Sequence, residues 1–334
     1  MRGNKPPTSG EDRLIERFFR PLARDPAALE LRDDVALLKP PVGNDLVLKT
    51  DAIVGGVHFF PDDPADAVAQ KALRVNLSDL AAKGAKPAGF LLALALPAGL
   101  DEAWLAAFAR GLGADADAYG CPLLGGDTDR TPGPFTISIA AVGFVPHGEL
   151  VRRAGAHAGE AVIATGTIGD AALGLLLRRE PNHPAFAKLD AGMRKHLIER
   201  YLLPQPRLAL AQALREHATA AIDVSDGLAG DLMKLAAASG CGARIEAKRV
   251  PFSTAARTVL AAEPSLIETA LTGGDDYEII ATVPADRLAS LQAAAKGAGV
   301  EVTAIGNTEA GEGVEVIAVD GRSLALARPS FSHF

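Results

Sequence analysis

Aspartates recur beside glycine, serine or the ends of apolar runs: Asp33, Asp34, Asp51, Asp79, Asp127, Asp223, Asp226, Asp275 and Asp276. Each alone has an ordinary reading, because Asp and Ser cap helices and Asp accompanies Gly in turns. Several follow strongly apolar stretches, such as Ala221-Ile222-Asp223 and Val47-Leu48-Lys49-Thr50-Asp51. An unpaired carboxylate is costly there, and a hard divalent cation is its economical partner. Mg²⁺ takes oxygen ligands and commonly bridges one or two carboxylates to substrate phosphates. The pattern points to metal-assisted chemistry on phosphates.

Glycine pairs next to those carboxylates serve the same chemistry. Gly125-Gly126 and Gly273-Gly274 let a backbone approach a polyphosphate closely, and turn amides form anion-binding nests. The run Thr165-Gly166-Thr167-Ile168-Gly169-Asp170 could do likewise, or could be a plain strand–turn–helix junction. Arg153, before a Gly-Ala turn, is a phosphate clamp or an exposed arginine. The chain has no Gly-Lys dipeptide, hence no Walker A loop, and no complete Gly-x-Gly-x-x-Gly fingerprint. The protein-kinase, nucleophile-elbow and His-Glu-x-x-His signatures are also missing.

Alternating helical and strand periodicities position these residues. In the first half the pattern predicts helices over 11–24, 65–83 and 101–119, the last capped by Asp101, with strands near 35–38, 46–53, 89–96 and 135–145. Pro146-His147-Gly148-Glu149 is the boundary signal, dividing the chain into 1–147 and 148–334. The second half predicts strands at 161–165, 220–224, 243–247, 278–283 and 301–305, with helices at 170–179, 192–201 and 207–217. The fold class is α/β: an α+β N-terminal lobe followed by an α/β C-terminal lobe. Two acidic turns in each half look related, Asn76–Ala81 to Asp223–Ala229 and Gly125–Thr128 to Gly273–Asp276.

At 334 residues the length suits two domains, and 48% hydrophobic with 22% charged residues is ordinary globular composition. A net charge of −7 argues against nucleic-acid and anionic-membrane partners. Cys121 and Cys241 lack metal-ligand spacing and fit a reducing compartment. The N-terminus carries no apolar signal segment, and the longest apolar run, Phe90–Leu96, is far short of the roughly 20 residues that span a bilayer. A cytoplasmic location is expected.

In order, Lys49-Thr50-Asp51, Gly56-Val57-His58-Phe59, Val75–Ala82, Gly125-Gly126-Asp127-Thr128, Ile222–Leu228 and Gly273–Glu278 resemble the thiamine-monophosphate kinase family. That family falls within the aminoimidazole ribonucleotide synthetase-like superfamily. The resemblance extends from about Glu11 to Ser332-His333-Phe334. It implies a two-lobed fold, a homodimer formed through the N-terminal lobe, and ATP-dependent phosphorylation of thiamine phosphate assisted by several Mg²⁺ ions. It also implies metal ligands at Asp34, Thr50, Asp51, Asp79, Asp127, Asp223 and Asp226, with Asp51, Asp79 and Asp127 central to catalysis. Nucleotide contacts fall at Gly126, Asp127, Arg153 and Ser225, and thiamine phosphate contacts at His58, Asp275 and Phe331. A phosphate-monoester acceptor is largely dianionic at neutral pH, so many carboxylates and few general bases suit the reaction.

The chain departs from that family's pattern at Arg32, Lys49, Asp129 and Asp275. Lys49 weighs most, because an ammonium cannot ligate Mg²⁺. Two rivals remain at this level: an ATP-dependent synthetase of the same superfamily, and a non-catalytic nucleotide- or metal-binding protein. No cysteine precedes Cys121 and none ends the chain, against the selenophosphate and hydrogenase-maturation branches.

Overall fold

The computed structural model describes residues 10–327 and Ser330. The chain separates into two compact units, Met1–Leu77 with Pro87–His147, and Ser78–Lys86 with Gly148–Phe334. Besides the change at His147, a short insert, Ser78–Lys86, packs with the second unit.

The first unit is built on a four-stranded sheet ordered β1-β4-β2-β3. Strand β1 (Asn44–Val54) pairs antiparallel with β4 (Thr136–Pro146) along its whole length, while β2 (Lys86–Pro97) runs parallel to β3 (Leu123–Thr131). Helices α2 (Ala65–Ala82) and α3 (Glu102–Tyr119) follow a short first helix, α1 (Gly10–Leu14). Asp101 caps α3 by accepting from the Trp104 amide at 2.6 Å. The two long helices meet where a Cβ on Gly111 would lie 2.4 Å from the Asp66 carbonyl oxygen. The Arg74 guanidinium closes the contact with two bonds to buried Asp115, at 2.6 and 2.9 Å. Alternation along β1 turns Lys49, Asp51 and Ile53 to one face and Leu46, Leu48 and Thr50 to the exposed one.

The second unit holds a six-stranded sheet, ordered β10-β7-β9-β5-β8-β6. Its strands are β5 (Ala161–Thr165), β6 (Ala220–Asp223), β7 (Gly242–Glu246), β8 (Ile279–Val283), β9 (Val302–Glu309) and β10 (Val314–Ile317). The interior strands β5 and β8 are buried at every position, which is why they read as continuous apolar runs. One sheet face, with Val162, Ile222 and Ile280, packs on Leu228, Leu232 and Leu235 of α7 (Leu228–Ser239). The other, with Ile163, Ala221 and Ala281, packs on Leu214, Leu291 and the insert's Ala81 and Ala82. Helices α4 (Asp170–Arg179), α5 (Ala191–Leu202) and α8 (Thr254–Ala262) form a further cluster around Leu173, Phe186 and Val259. Helices α6 (Ala211–His217), α9 (Ile267–Thr272) and α10 (Ala285–Gly297) complete the unit.

Four expectations change. The single helix over 11–24 is a broken one: α1, a π turn (Ile15–Phe19) and a 3-10 turn (Arg20–Leu22) containing Pro21, which cannot donate to a continuing helix. No strand forms at 35–38. Leu29, Glu30 and Leu31 take left-handed φ values of 49°, 59° and 51°, and Val35 and Leu37 are exposed. The Asn76–Ala81 segment is helix interior rather than a turn, and Gly125–Thr128 lies within β3. No described helix is long and apolar enough to cross a membrane.

Candidate functional site

In the first unit, Asp33 and Asp34 leave the irregular segment after Leu31 and line a cavity of about 660 Å³ with Gly126, Asp127 and Thr128. Apolar side chains including Phe19, Leu91 and Leu123 line the rest. Carboxylates beside an apolar wall can hold a hard cation and an amphipathic ligand together. Gly126 is demanded by packing: a Cβ would lie 1.8 Å from the Leu92 carbonyl oxygen of β2. Asp127 is exposed, and its Oδ1 accepts from the Thr128 amide at 2.9 Å.

Asp51 donates its amide to Asn76 Oδ1 at 2.9 Å and pairs with Lys49 Nζ at 3.0 Å. Lys49 therefore already supplies a positive charge to the carboxylate assigned to metal. Thr50 lies on the opposite, exposed face of β1. His58 closes the turn after β1: Nδ1 accepts from the Val54 amide at 3.0 Å, and its carbonyl accepts from the buried Lys71 ammonium. In the neutral ring, Nε2 then carries the proton.

In the second unit, Asp79 is half-buried near the end of α2. One turn on, Lys83 Nζ donates to the Ala221 carbonyl at 2.6 Å, fixing the insert against β6. Asp223 is buried at the end of that strand. Ser225 and Asp226 occupy the loop before α7, and Asp275 donates its amide to the Ser225 carbonyl at 2.9 Å. Asp226 is ion-paired with Lys234, whose ammonium also reaches buried Asp231 at 2.8 Å. Arg153 is exposed, and its carbonyl accepts from Ser239 Oγ at 3.5 Å. Phe331 lies outside the described residues.

Of the two readings of Thr165–Asp170, the structure shows the strand–turn–helix junction, from β5 to α4, and the amides at its helix end are taken by one of the protein's own carboxylates. Asp276 Oδ2 accepts from the Gly169 amide at 2.8 Å, and its Oδ1 accepts from the Ala171 amide at 3.4 Å. A Cβ on Gly166 would lie 2.2 Å from Glu278 Oε1, so that glycine makes room for a side chain. Glu278 is fully buried and accepts from Arg200, Arg207 and Thr165. Asp170, at the first position of α4, accepts from His196 Nε2 at 2.9 Å, Thr167 Oγ1 at 2.6 Å and Ser253 Oγ. Burial pushes the Asp170 carboxyl up, but these bonds outweigh it and hold the carboxyl below its usual range. Hydrogen bonding to Asp170 raises the His196 imidazole. Burial carries Asp276 well above the ordinary carboxylate range, against the pull of the Gly169 amide and Arg200. Sequence reasoning missed this network. The signal available was a Glu and an Asp in a run destined for full burial, which require partners of opposite charge.

Among the described residues, no three His, Cys, Asp or Glu side chains form a ready metal-holding group. The donors are hard oxygens, as Mg²⁺ requires, but the chain supplies them in ones and twos. That fits an ion completed by water and substrate phosphates.

Residues 32–145 match the family described as AIR synthase related protein, N-terminal domain, and residues 157–319 match its C-terminal domain. The chain is similar to the thiamine-monophosphate kinase of Caulobacter vibrioides, 43% identical over 332 residues, spanning 98% of this chain and 91% of the relative. It belongs to the thiamine-monophosphate kinase family. The crystal structure of the Stenotrophomonas maltophilia kinase superposes with a TM-score of 0.82 at 40% identity, covering 94% of this chain and 96% of that one. AaThiL, solved in complex with AMPPCP and TMP, superposes at 0.77 with 31% identity and covers 89% of both chains. Full-length membership sets aside the synthetase reading, and the two-lobed α/β fold is that of the family.

Proposed function

We infer that the chain carries out its family's reaction, transfer of the γ-phosphoryl group of ATP to thiamine phosphate, giving thiamine diphosphate and ADP. The observation that carries the reading is the cavity lined by Asp34, Gly126 and Asp127, three residues the family resemblance had assigned to metal and nucleotide. The acceptor is itself a phosphate monoester, already dianionic near neutral pH. No residue must therefore remove a proton from it, and catalysis reduces to in-line positioning and charge cancellation. Mg²⁺ held by the carboxylates named next would supply that cancellation. Asp34 and Asp127 are its candidate holders in the first unit, with Asp51 beside Lys49; Asp79, Asp223 and Asp226 are candidates in the second. Gly126, Arg153 and Ser225 are assigned to ATP, and His58, Asp275 and Phe331 to thiamine phosphate.

A homodimer accounts for the apolar side chains exposed on the sheet of the first unit. Leu46 and Leu48 are 47% and 70% exposed, the kind of surface that soluble chains cover by association. Water-soluble substrates and two free, buried cysteines suit a cytoplasmic setting.

The direct test incubates the purified protein with ATP, Mg²⁺ and thiamine phosphate and resolves the products by chromatography. Thiamine diphosphate should form, and thiamine should be a poor acceptor because it lacks the phosphate nucleophile. ATP binding without product would instead favour a non-catalytic protein. Asp127→Asn should lower turnover by about 100-fold or more while the thermal midpoint stays put, because Asp127 is exposed. Near-normal turnover in that variant would remove Asp127 from the site.

A further inference from the structure

The link Gly273–Glu278 joins α9 to β8 and carries two adjacent carboxylates with opposite surroundings. Asp275 is partly exposed, whereas Asp276 is buried. The backbone is unusual: Gly274, Asp275 and Tyr277 have φ values of 75°, 64° and 50°. Left-handed conformation is unfavourable for non-glycine residues, and a bulky tyrosine there is an outlier that persists only when its surroundings impose it.

Those surroundings are explicit. The strap lies along the Val224–Asp226 loop, with the Asp275 amide donating to the Ser225 carbonyl at 2.9 Å and the Tyr277 amide to the Val224 carbonyl at 2.8 Å. Glycines stand at the tightest points. A Cβ on Gly274 would lie 2.3 Å from the Ser225 carbonyl oxygen, and one on Gly273 2.5 Å from Ala172 Cβ. From the other side, the Asp276 carboxylate receives the Gly169 and Ala171 amides at the start of α4. Arg200, 8% exposed, donates through one Nη2 to both the Asp276 carbonyl, at 3.2 Å, and Glu278 Oε1, at 2.8 Å.

We propose that Asp276 and Arg200 are positioning residues: they clamp the strap in its left-handed conformation, so that Asp275 keeps a fixed register beside Ser225. This rests on the reading of Asp275 as a thiamine phosphate contact. The adjacent carboxylates divide the work, Asp276 buried and anchoring the chain and Asp275 half-buried beside Ser225. The Ser225 loop has supports outside the strap, because β6, which pairs with β8 from Ala220 to Asp223, leads directly into it, and the Asp226 amide donates to Asp231 Oδ2 of α7 at 2.8 Å. Loosening the clamp should therefore move Asp275 more than Ser225.

The test combines amide exchange with steady-state kinetics on the full-length protein. Asp276→Asn keeps the shape but presents an amide nitrogen to one of two N–H donors. Its Asp275 and Tyr277 amides should exchange at least about tenfold faster. Its KM for thiamine phosphate should rise by about tenfold while the KM for ATP changes less than about twofold. Arg200→Lys, which retains a donor cation, should remain near wild type, and Arg200→Met should reproduce the Asp276→Asn phenotype. If Asp276→Asn does not fold, this arginine pair decides the matter by the same readouts. Unchanged exchange at Asp275 and Tyr277, or equal changes in both KM values, overturns the proposal. If the wild-type protein makes no thiamine diphosphate, the functional reading fails, while the exchange measurement still decides whether the clamp exists.

Discussion

Replacing Glu278 by Gln removes one negative charge from the interior of the second unit and changes little in shape. Four donors converge on the native carboxylate: Arg200 Nη2 at 2.8 Å, Arg207 Nε at 2.6 Å, Arg207 Nη2, and Thr165 Oγ1 at 2.6 Å. A glutamine offers one acceptor oxygen and turns an NH₂ group toward the remaining donors. About two donors then lose their acceptor, each costing roughly 1–3 kcal/mol when buried. Counted instead as a buried ion pair broken on one side, the loss is about 3–5 kcal/mol. The two routes overlap at about 3–5 kcal/mol, a large share of the roughly 5–15 kcal/mol that holds a domain folded. For a unit of this size each kcal/mol moves the melting midpoint by about 2–4 °C. Differential scanning calorimetry of Glu278→Gln should accordingly show a transition at least about 6 °C below that of the wild type. A midpoint within 2 °C would mean that the arginines find other partners and that the carboxylate is not the hub of the cluster.

Three further outcomes follow from local geometry. His196 is raised by Asp170, so its stabilisation is fully present below the ordinary histidine value near 6.5 and is lost as pH rises through the higher folded value. Asp170 is lowered, so its share is present above about 3.8 and is lost as pH falls through its folded value. Thermal melts of wild type and His196→Gln should differ most between about pH 4 and 6.5 and converge in mild alkali; a constant gap would refute the pairing. Arg200 and Glu199 also act on this histidine, in opposite directions. Gly126→Ala places a methyl against the Leu92 carbonyl oxygen and should destabilise the protein by about 1–3 kcal/mol in chemical denaturation, whereas Gly125→Ala, whose Cβ meets only Leu91 Cδ2 at 3.3 Å, should do so far less. Cys121 is buried and its thiol is pushed up to about 12, so an aromatic disulfide reagent should label it only on unfolding; rapid labelling of Cys121 in the native protein would contradict its burial.

How much of this was legible depended on whether a residue's role is local. Asp101 caps a helix and was placed from its neighbours alone, and the strand carrying Asp51 announced itself by alternation. Gly126 was noticed for a good reason and given the wrong backbone. Adjacent glycines suggest a turn, but here a strand needs the space because another strand's carbonyl occupies it, a fact about residues more than 30 positions away. The same holds for Gly166, vacated for Glu278. Asp275 and Asp276 are indistinguishable as letters, and only the fold turns one inward. Thr50 and Asp51 enter together through the family resemblance, and alternation along the strand puts their side chains on opposite faces of β1. Lys49, flagged as a departure, does meet Asp51.

The insert Ser78–Lys86 has a consequence for biosynthesis. Its Ala81 and Ala82 pack with Ile163, Ala221 and Val283, and its Lys83 bonds to the Ala221 carbonyl. On the ribosome that segment emerges about 200 residues before β8 is complete, an interval of roughly 10–40 s at ordinary elongation rates. During that time the end of α2 gains its final neighbours only in turn, Ile163 first, then Ala221 and last Val283, and presents an apolar surface that a chaperone could hold. A fragment begun at Gly148 would carry the complementary defect, a core lacking a piece that only the upstream chain can supply.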